Sequence, residues 1–133
     1  MRLISFRRSD GTESYGTTDG DIIWDAGAEL SDRYTDLRSI LATGSVAELR
    51  ETGPQSKLSD VTLLPPVTNP DKILCIGLNY LSQIKETGRD TPKHPSIFTR
   101  YPSSLVGHGT PIVRPKASKD FDYEGELALV VGK

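Results

Sequence analysis

Two glutamates one residue apart, Glu124 and Glu126, stand in the run Asp122-Tyr123-Glu124-Gly125-Glu126 just ahead of an apolar stretch, Leu127 to Val131. On a β-strand alternate side chains share a face, so both carboxylates point one way and Leu127, Leu129 and Val131 the other. On an outer strand such a pair is a solvated acidic face. On a central strand water is a poor neighbour, and a hard divalent cation with oxygen ligands is the better one. A second pair is Gln83 and Glu86, three residues apart and so on one side of a helical turn. There a carboxylate beside a polar partner can orient or deprotonate a water; the plainer alternative is a short solvated helix with Lys85 and Arg89 as surface charge. Arg100, after Phe98-Thr99, offers a guanidinium that could clamp a carboxylate or simply face solvent.

Other polar residues lead nowhere. The histidines, His94 and His108, are fourteen residues apart and fit no metal-ligand or triad spacing. Gly107-x-Gly109 lacks the third glycine and the following helix of a dinucleotide loop. Cys75, inside an apolar run, reads as core.

The elements that must position these residues fall into two parts. Three strands are expected first, Leu3–Phe6, Glu13–Thr17 and Ile22–Trp24, with Asp10-Gly11 and Asp19-Gly20 as the hairpin turns between them. A helix over Asp36–Ala42 is expected to stop at Gly44, and Ser45-Val46-Ala47-Glu48 has the pattern of a capping box opening a second short helix before Gly53-Pro54. Beyond Pro65-Pro66 the chemistry changes. Lys72–Leu78 is a buried-strand run, Leu81–Thr87 a short helix ending at Gly88, and Ile97-Phe98, Ile112-Val113 and Tyr123–Val131 are further strands. Because Pro65-Pro66-Val67-Thr68-Asn69-Pro70 can neither pair in a central strand nor continue a helix, a domain boundary is placed there, with domains over 1–64 and 65–133. Tyr123–Val131 has the composition of a central strand, which needs neighbours on both edges, so the chain is expected to be a piece of a longer protein.

Composition bounds the class. The chain has 133 residues, 35% hydrophobic and 26% charged, which suits one soluble globular body and excludes disorder, collagen and coiled coil. A net charge of −2 gives no electrostatic case for nucleic acid. The balance is uneven: residues 1–68 carry 7 basic and 11 acidic side chains, and 69–133 carry 9 and 7. The longest apolar run, five residues, is far short of a membrane span of about 20. No secretory signal opens the chain, and its one cysteine favours a reducing compartment, the cytoplasm by default.

Taken in order, Lys72–Tyr80 (KILCIGLNY), Gln83-x-x-Glu86, Pro95–Arg100 (PSIFTR), Ser103–Ile112 (SSLVGHGTPI) and Asp122–Lys133 (DYEGELALVVGK) resemble the fumarylacetoacetate hydrolase family. The resemblance covers residues 63–133, and 1–62 are similar to the small N-terminal domain of many bacterial members. It implies an α+β, mostly β fold: a small N-terminal β-meander and helix domain followed by the start of a β-roll catalytic domain, incomplete here and usually homodimeric. It implies Mg²⁺ or Mn²⁺ on two glutamates, matched by Glu124 and Glu126, and on an aspartate expected beyond Lys133. The substrates implied are small 2-oxo or diketo acids, with a metal-stabilised enolate as a C–C bond breaks or a double bond migrates. Where family hydrolases commonly have His-x-x-Glu on a lid segment, this chain has Gln83 and Glu86. Glutamine can hydrogen-bond a water but cannot take its proton near neutral pH, so the departure bears on hydrolysis and not on the metal. The alternative from another class is a truncated, inactive scaffold or interaction module.

Overall fold

A computed structural model describes residues 1–132 as an α+β chain in which strands dominate. It divides into two compact units: residues 1–68 together with 106–132, and residues 69–105.

The first unit is built on a five-stranded antiparallel sheet. Strands β1 (Arg2–Arg7), β2 (Glu13–Thr18), β3 (Ile22–Trp24), β4 (Gln55–Lys57) and β5 (Thr62–Leu64) lie in the order β4-β3-β2-β1-β5. The turns form where the Asp-Gly pairs predict them. Asp10 Oδ1 accepts from the Thr12 backbone N–H at 2.8 Å, and Gly11 takes the left-handed conformation at φ +88°. Asp19 Oδ1 accepts from the N–H groups of Asp21 and Ile22, each at 2.9 Å, and Gly20 has φ +125°. Strand β2 has a neighbour on both edges and is buried from Ser14 to Thr18. Gly16 on it is obligatory, because a Cβ there would fall 1.9 Å from the Trp24 carbonyl oxygen.

One face of the sheet packs on α1 (Gly27–Leu30) and α2 (Leu37–Thr43) through a core of Tyr15, Ala26, Tyr34, Leu37, Ile40 and Leu49. Helix α2 begins on a capping box between Asp36 and Ser39 and ends on left-handed Gly44, φ +75°, whose N–H reaches the carbonyls of Ile40 and Leu41. The second expected box does not form: Ser45 caps nothing through its side chain, and Val46–Leu49 is a single 3₁₀ turn. The Tyr34 hydroxyl instead lies 3.1 Å from Ser45 Oγ and 3.0 Å from Glu48 Oε1, drawing both side chains away from the backbone they would cap. The Tyr15 hydroxyl donates to the Tyr34 carbonyl at 2.6 Å, and burial raises its pKa.

The second unit is a hairpin of β6 (Ile73–Gly77) and β7 (Ser96–Arg100), in register from Ile73 opposite Arg100 to Gly77 opposite Ser96, with α3 (Leu81–Thr87) between them in sequence. Residues facing each other across an antiparallel pair share a face, so Leu74, Ile76 and Ile97 form one apolar side. That side is exposed, Leu74 at 61% and Ile97 at 60%.

The expected strands at Ile112-Val113 and Tyr123–Val131 are not strands. Residues 111–132 have no regular secondary structure, and Leu127, Leu129 and Val131 are exposed. A strand is defined by its ladder, and no other described segment pairs with these residues; apolar alternation alone supplies no hydrogen-bonding neighbour. Lys133, the last residue of the DYEGELALVVGK run, lies outside the described residues.

Candidate functional site

Helix α3 carries the first candidate pair. Tyr80 stands at its N-cap without a side-chain cap bond, and its end is fixed by Gly88, left-handed at φ +65°, whose N–H reaches the carbonyls of Ile84 and Lys85. Ile84 is the buried anchor of the helix. With that residue inward, Gln83 is half-buried and Glu86 exposed, three residues apart and on neighbouring positions of the helix surface. The sequence therefore places the pair on a helix, as expected, with the carboxylate open to solvent or substrate.

Arg100 closes β7 in the same unit, opposite Ile73. Its guanidinium carbon lies 5.7 Å from the centroid of the Phe98 ring two residues earlier, a contact that orients the cation along the strand. The side chain is exposed, so its donors are open to an anionic group.

Glu124 and Glu126 belong to the first unit, on the irregular segment 111–132, and both are exposed. As donors they suit a hard divalent cation, being carboxylate oxygens without competing nitrogen or sulfur. Their number is two. Among the described residues no group of three or more His, Cys, Asp or Glu side chains is gathered to hold a metal. In donor chemistry the two carboxylates fit the expected metal, and in number they fall short of a full set of protein ligands. His94 and His108 are exposed and Cys75 is half-buried.

A hydrogen-bonded polar cluster lies elsewhere and carries no local sequence signal. Arg8 grips Asp25 with two hydrogen bonds, Nε to Oδ2 at 2.7 Å and Nη2 to Oδ1 at 3.0 Å. Ser14 Oγ donates to Asp25 Oδ1 at 2.5 Å, and the Ala28 N–H approaches the same oxygen at 3.3 Å. The hydrogen bond to Asp25 raises the pKa of Arg8. These bonds make the cluster a brace that joins the ends of β1 and β3 to β2 and the start of α1. Two grooves on the first unit, one of about 650 Å³ lined in part by Asp21, Lys57 and His108 and one of about 750 Å³ beside the Arg8–Asp25 pair, include none of the candidate site residues.

Comparison with known proteins bears on what these residues do. Residues 72–133 match the family described as fumarylacetoacetate (FAA) hydrolase, C-terminal. The whole chain aligns with a Xenopus laevis protein named oxaloacetate tautomerase fahd2, mitochondrial, at 37% identity, covering 44% of that protein. Over 75 residues, 56% of the chain is 48% identical to the human oxaloacetate tautomerase FAHD2A, mitochondrial, covering 24% of it. The chain therefore spans less than half the length of these relatives. Among solved structures, a Mycobacterium smegmatis protein provisionally named HpcE superposes with a TM-score of 0.67 at 27% identity, over 87% of this chain and 41% of that one. An uncharacterized protein from Mycobacterium abscessus gives 0.60 at 28% identity, over 90% of this chain and 40% of its own.

Proposed function

We propose, from the match of residues 72–133 to the fumarylacetoacetate (FAA) hydrolase family, that the full-length protein is an enzyme of small 2-oxo or diketo acids, with tautomerisation as its reaction. The observation that carries this reading is helix α3, where Glu86 is the only carboxylate and its neighbour three residues back is the amide Gln83. Hydrolysis asks for a water to be both oriented and deprotonated, and an amide cannot share the second task. Moving a proton from an enol oxygen to the far carbon of its double bond asks for one base and no co-reactant. Glu86 takes the hydroxyl proton and returns it to carbon, while Gln83 holds the substrate or a water by hydrogen bonds. Arg100 pairs with a substrate carboxylate. That the Xenopus and human relatives are named oxaloacetate tautomerases supports the same choice.

Glu124 and Glu126 are the residues we assign to a Mg²⁺ or Mn²⁺ ion. Such an ion, when bound, supplies positive charge to the oxygens of a 2-oxo acid. We keep the boundary at 64/65 as that between an accessory and a catalytic domain, supported by the end of β5 at Leu64 directly before Pro65-Pro66. The single free cysteine supports a reducing compartment, for which we retain the cytoplasm; the Xenopus and human relatives are named as mitochondrial.

The test is made on the full-length protein, following enol-to-keto conversion of oxaloacetate and hydrolysis of an acylpyruvate. Glu86→Gln should lower tautomerase kcat by about 10²–10⁴. Glu124→Gln and Glu126→Gln should abolish turnover, and Gln83→His should raise acylpyruvate hydrolysis while leaving tautomerisation unchanged or worse. Full tautomerase activity in Glu86→Gln would remove the base from the mechanism, and full activity in Glu126→Gln would remove the metal.

A further inference from the structure

Between β6 and α3 the chain turns on Leu78, Asn79 and Tyr80. Leu78 has φ +56°, the left-handed region that glycine enters freely and a bulky L-residue avoids. Elsewhere in the chain both regular helices that end on a left-handed residue use glycine for it, Gly44 after α2 and Gly88 after α3. Here a glycine is also at hand, since Gly77 is the preceding residue, yet Gly77 does not take a positive φ and the conformation falls on the leucine. Strain of this kind persists where the surroundings enforce it, and it clusters at functional sites. The place is telling: three residues further on begins the helix that presents Gln83 and Glu86.

We infer that Leu78 is a positioning residue, whose left-handed backbone holds α3 in one orientation so that Glu86 meets the substrate at a fixed place. The inference rests on the reading of Glu86 as the base. A glycine at 78 would relieve the strain but open both signs of φ, and the helix would then sample several directions. Leucine confines the link because a residue with a Cβ has only a small allowed region at positive φ. Asparagine is the conservative replacement for the backbone, being the non-glycine residue most at ease in the left-handed region. Valine, branched at Cβ, is the least able to adopt it.

The experiment compares full-length wild type, Leu78→Gly, Leu78→Asn, Leu78→Val and Glu86→Gln in kcat, KM and Tm with oxaloacetate. Leu78→Gly and Leu78→Asn both lose the leucine side chain and should have similar Tm values. Leu78→Gly should nonetheless fall about tenfold or more in kcat with KM little changed, the signature of a misplaced catalytic group. Leu78→Asn should keep most of the wild-type kcat, and Leu78→Val should lose both kcat and Tm. Wild-type kcat in Leu78→Gly, or equal losses in the Gly and Asn variants, would overturn the inference. An inactive Glu86→Gln alongside a fully active Leu78→Gly would overturn it alone, whereas wild-type kcat in Glu86→Gln would overturn the reading of the base and the inference with it.

Discussion

Asp25 gathers three donors, Arg8, Ser14 and the Ala28 N–H, with only 11% of its side chain exposed. Asp25→Ala would leave a partly buried guanidinium without its counter-charge, and we expect a loss of about 2–3 kcal/mol in denaturant unfolding. Asp19 carries the pH dependence at this scale. The N–H groups of Ile22 and Asp21 hold its carboxyl below the ordinary carboxylate range. A depressed pKa contributes stability that is complete above the unfolded value, near pH 4, and that fades as pH falls through the folded one. The Tm should therefore decline more steeply below about pH 4 in wild type than in Asp19→Asn, and equal slopes would show that the turn carboxylate does not contribute. Asp19 was legible in the sequence because its partners are two and three residues away. The Arg8–Asp25 pair was not: seventeen residues separate its members, and only the pairing of β1 with β2 and of β2 with β3 brings them within reach.

Among elements, the turn around Gly107 shows how closely the first unit is packed. A Cβ at Gly107 would fall 1.8 Å from the Leu63 carbonyl oxygen on β5, so the 106–110 segment crosses that edge strand at backbone distance. Gly107→Ala must push the two backbones apart, and we expect it to cost about 1–3 kcal/mol in chemical denaturation. Gly109→Ala, with open space around its Cβ, should cost less and only through its φ of +78°. An equal loss in both variants would mean that conformation, and not close approach, governs the turn. Elements whose signals are local were readable in advance: two Asp-Gly hairpins, the Gly44 stop and the Gly88 stop all lie where residue chemistry puts them. Tyr123–Val131 was misread as a strand because alternation reports a preference, and the preference is realised only beside a partner. Glu124 and Glu126 consequently stand on irregular backbone, and their shared face was an inference from a strand that the structure does not form.

Across the whole molecule, the two candidate metal ligands and the exposed apolar residues lead to separate measurements. Two carboxylates leave most of an octahedral shell to water, which Mg²⁺ gives up reluctantly, so this chain should bind Mg²⁺ or Mn²⁺ without saturation up to about millimolar concentration in calorimetry. Tight stoichiometric binding lost in Glu124→Ala would show a fuller site. Leu74, Ile97, Leu127, Leu129 and Val131 all face solvent, and an apolar surface of that kind favours association. We expect a homodimer or larger assembly by light scattering; a monomer at high concentration would contradict it. One consequence lies in the topology of the sheet. Strand β5 runs antiparallel to β1 at its side, with Leu64 opposite Ser5, and the Ser5 hydroxyl donates to the Pro66 carbonyl at 2.7 Å. Entry to and exit from the first 64 residues are therefore adjacent on one rim. Because the start of β1 and the end of β5 lie side by side, a label placed at the start of β1 reports directly on the chain that leaves β5.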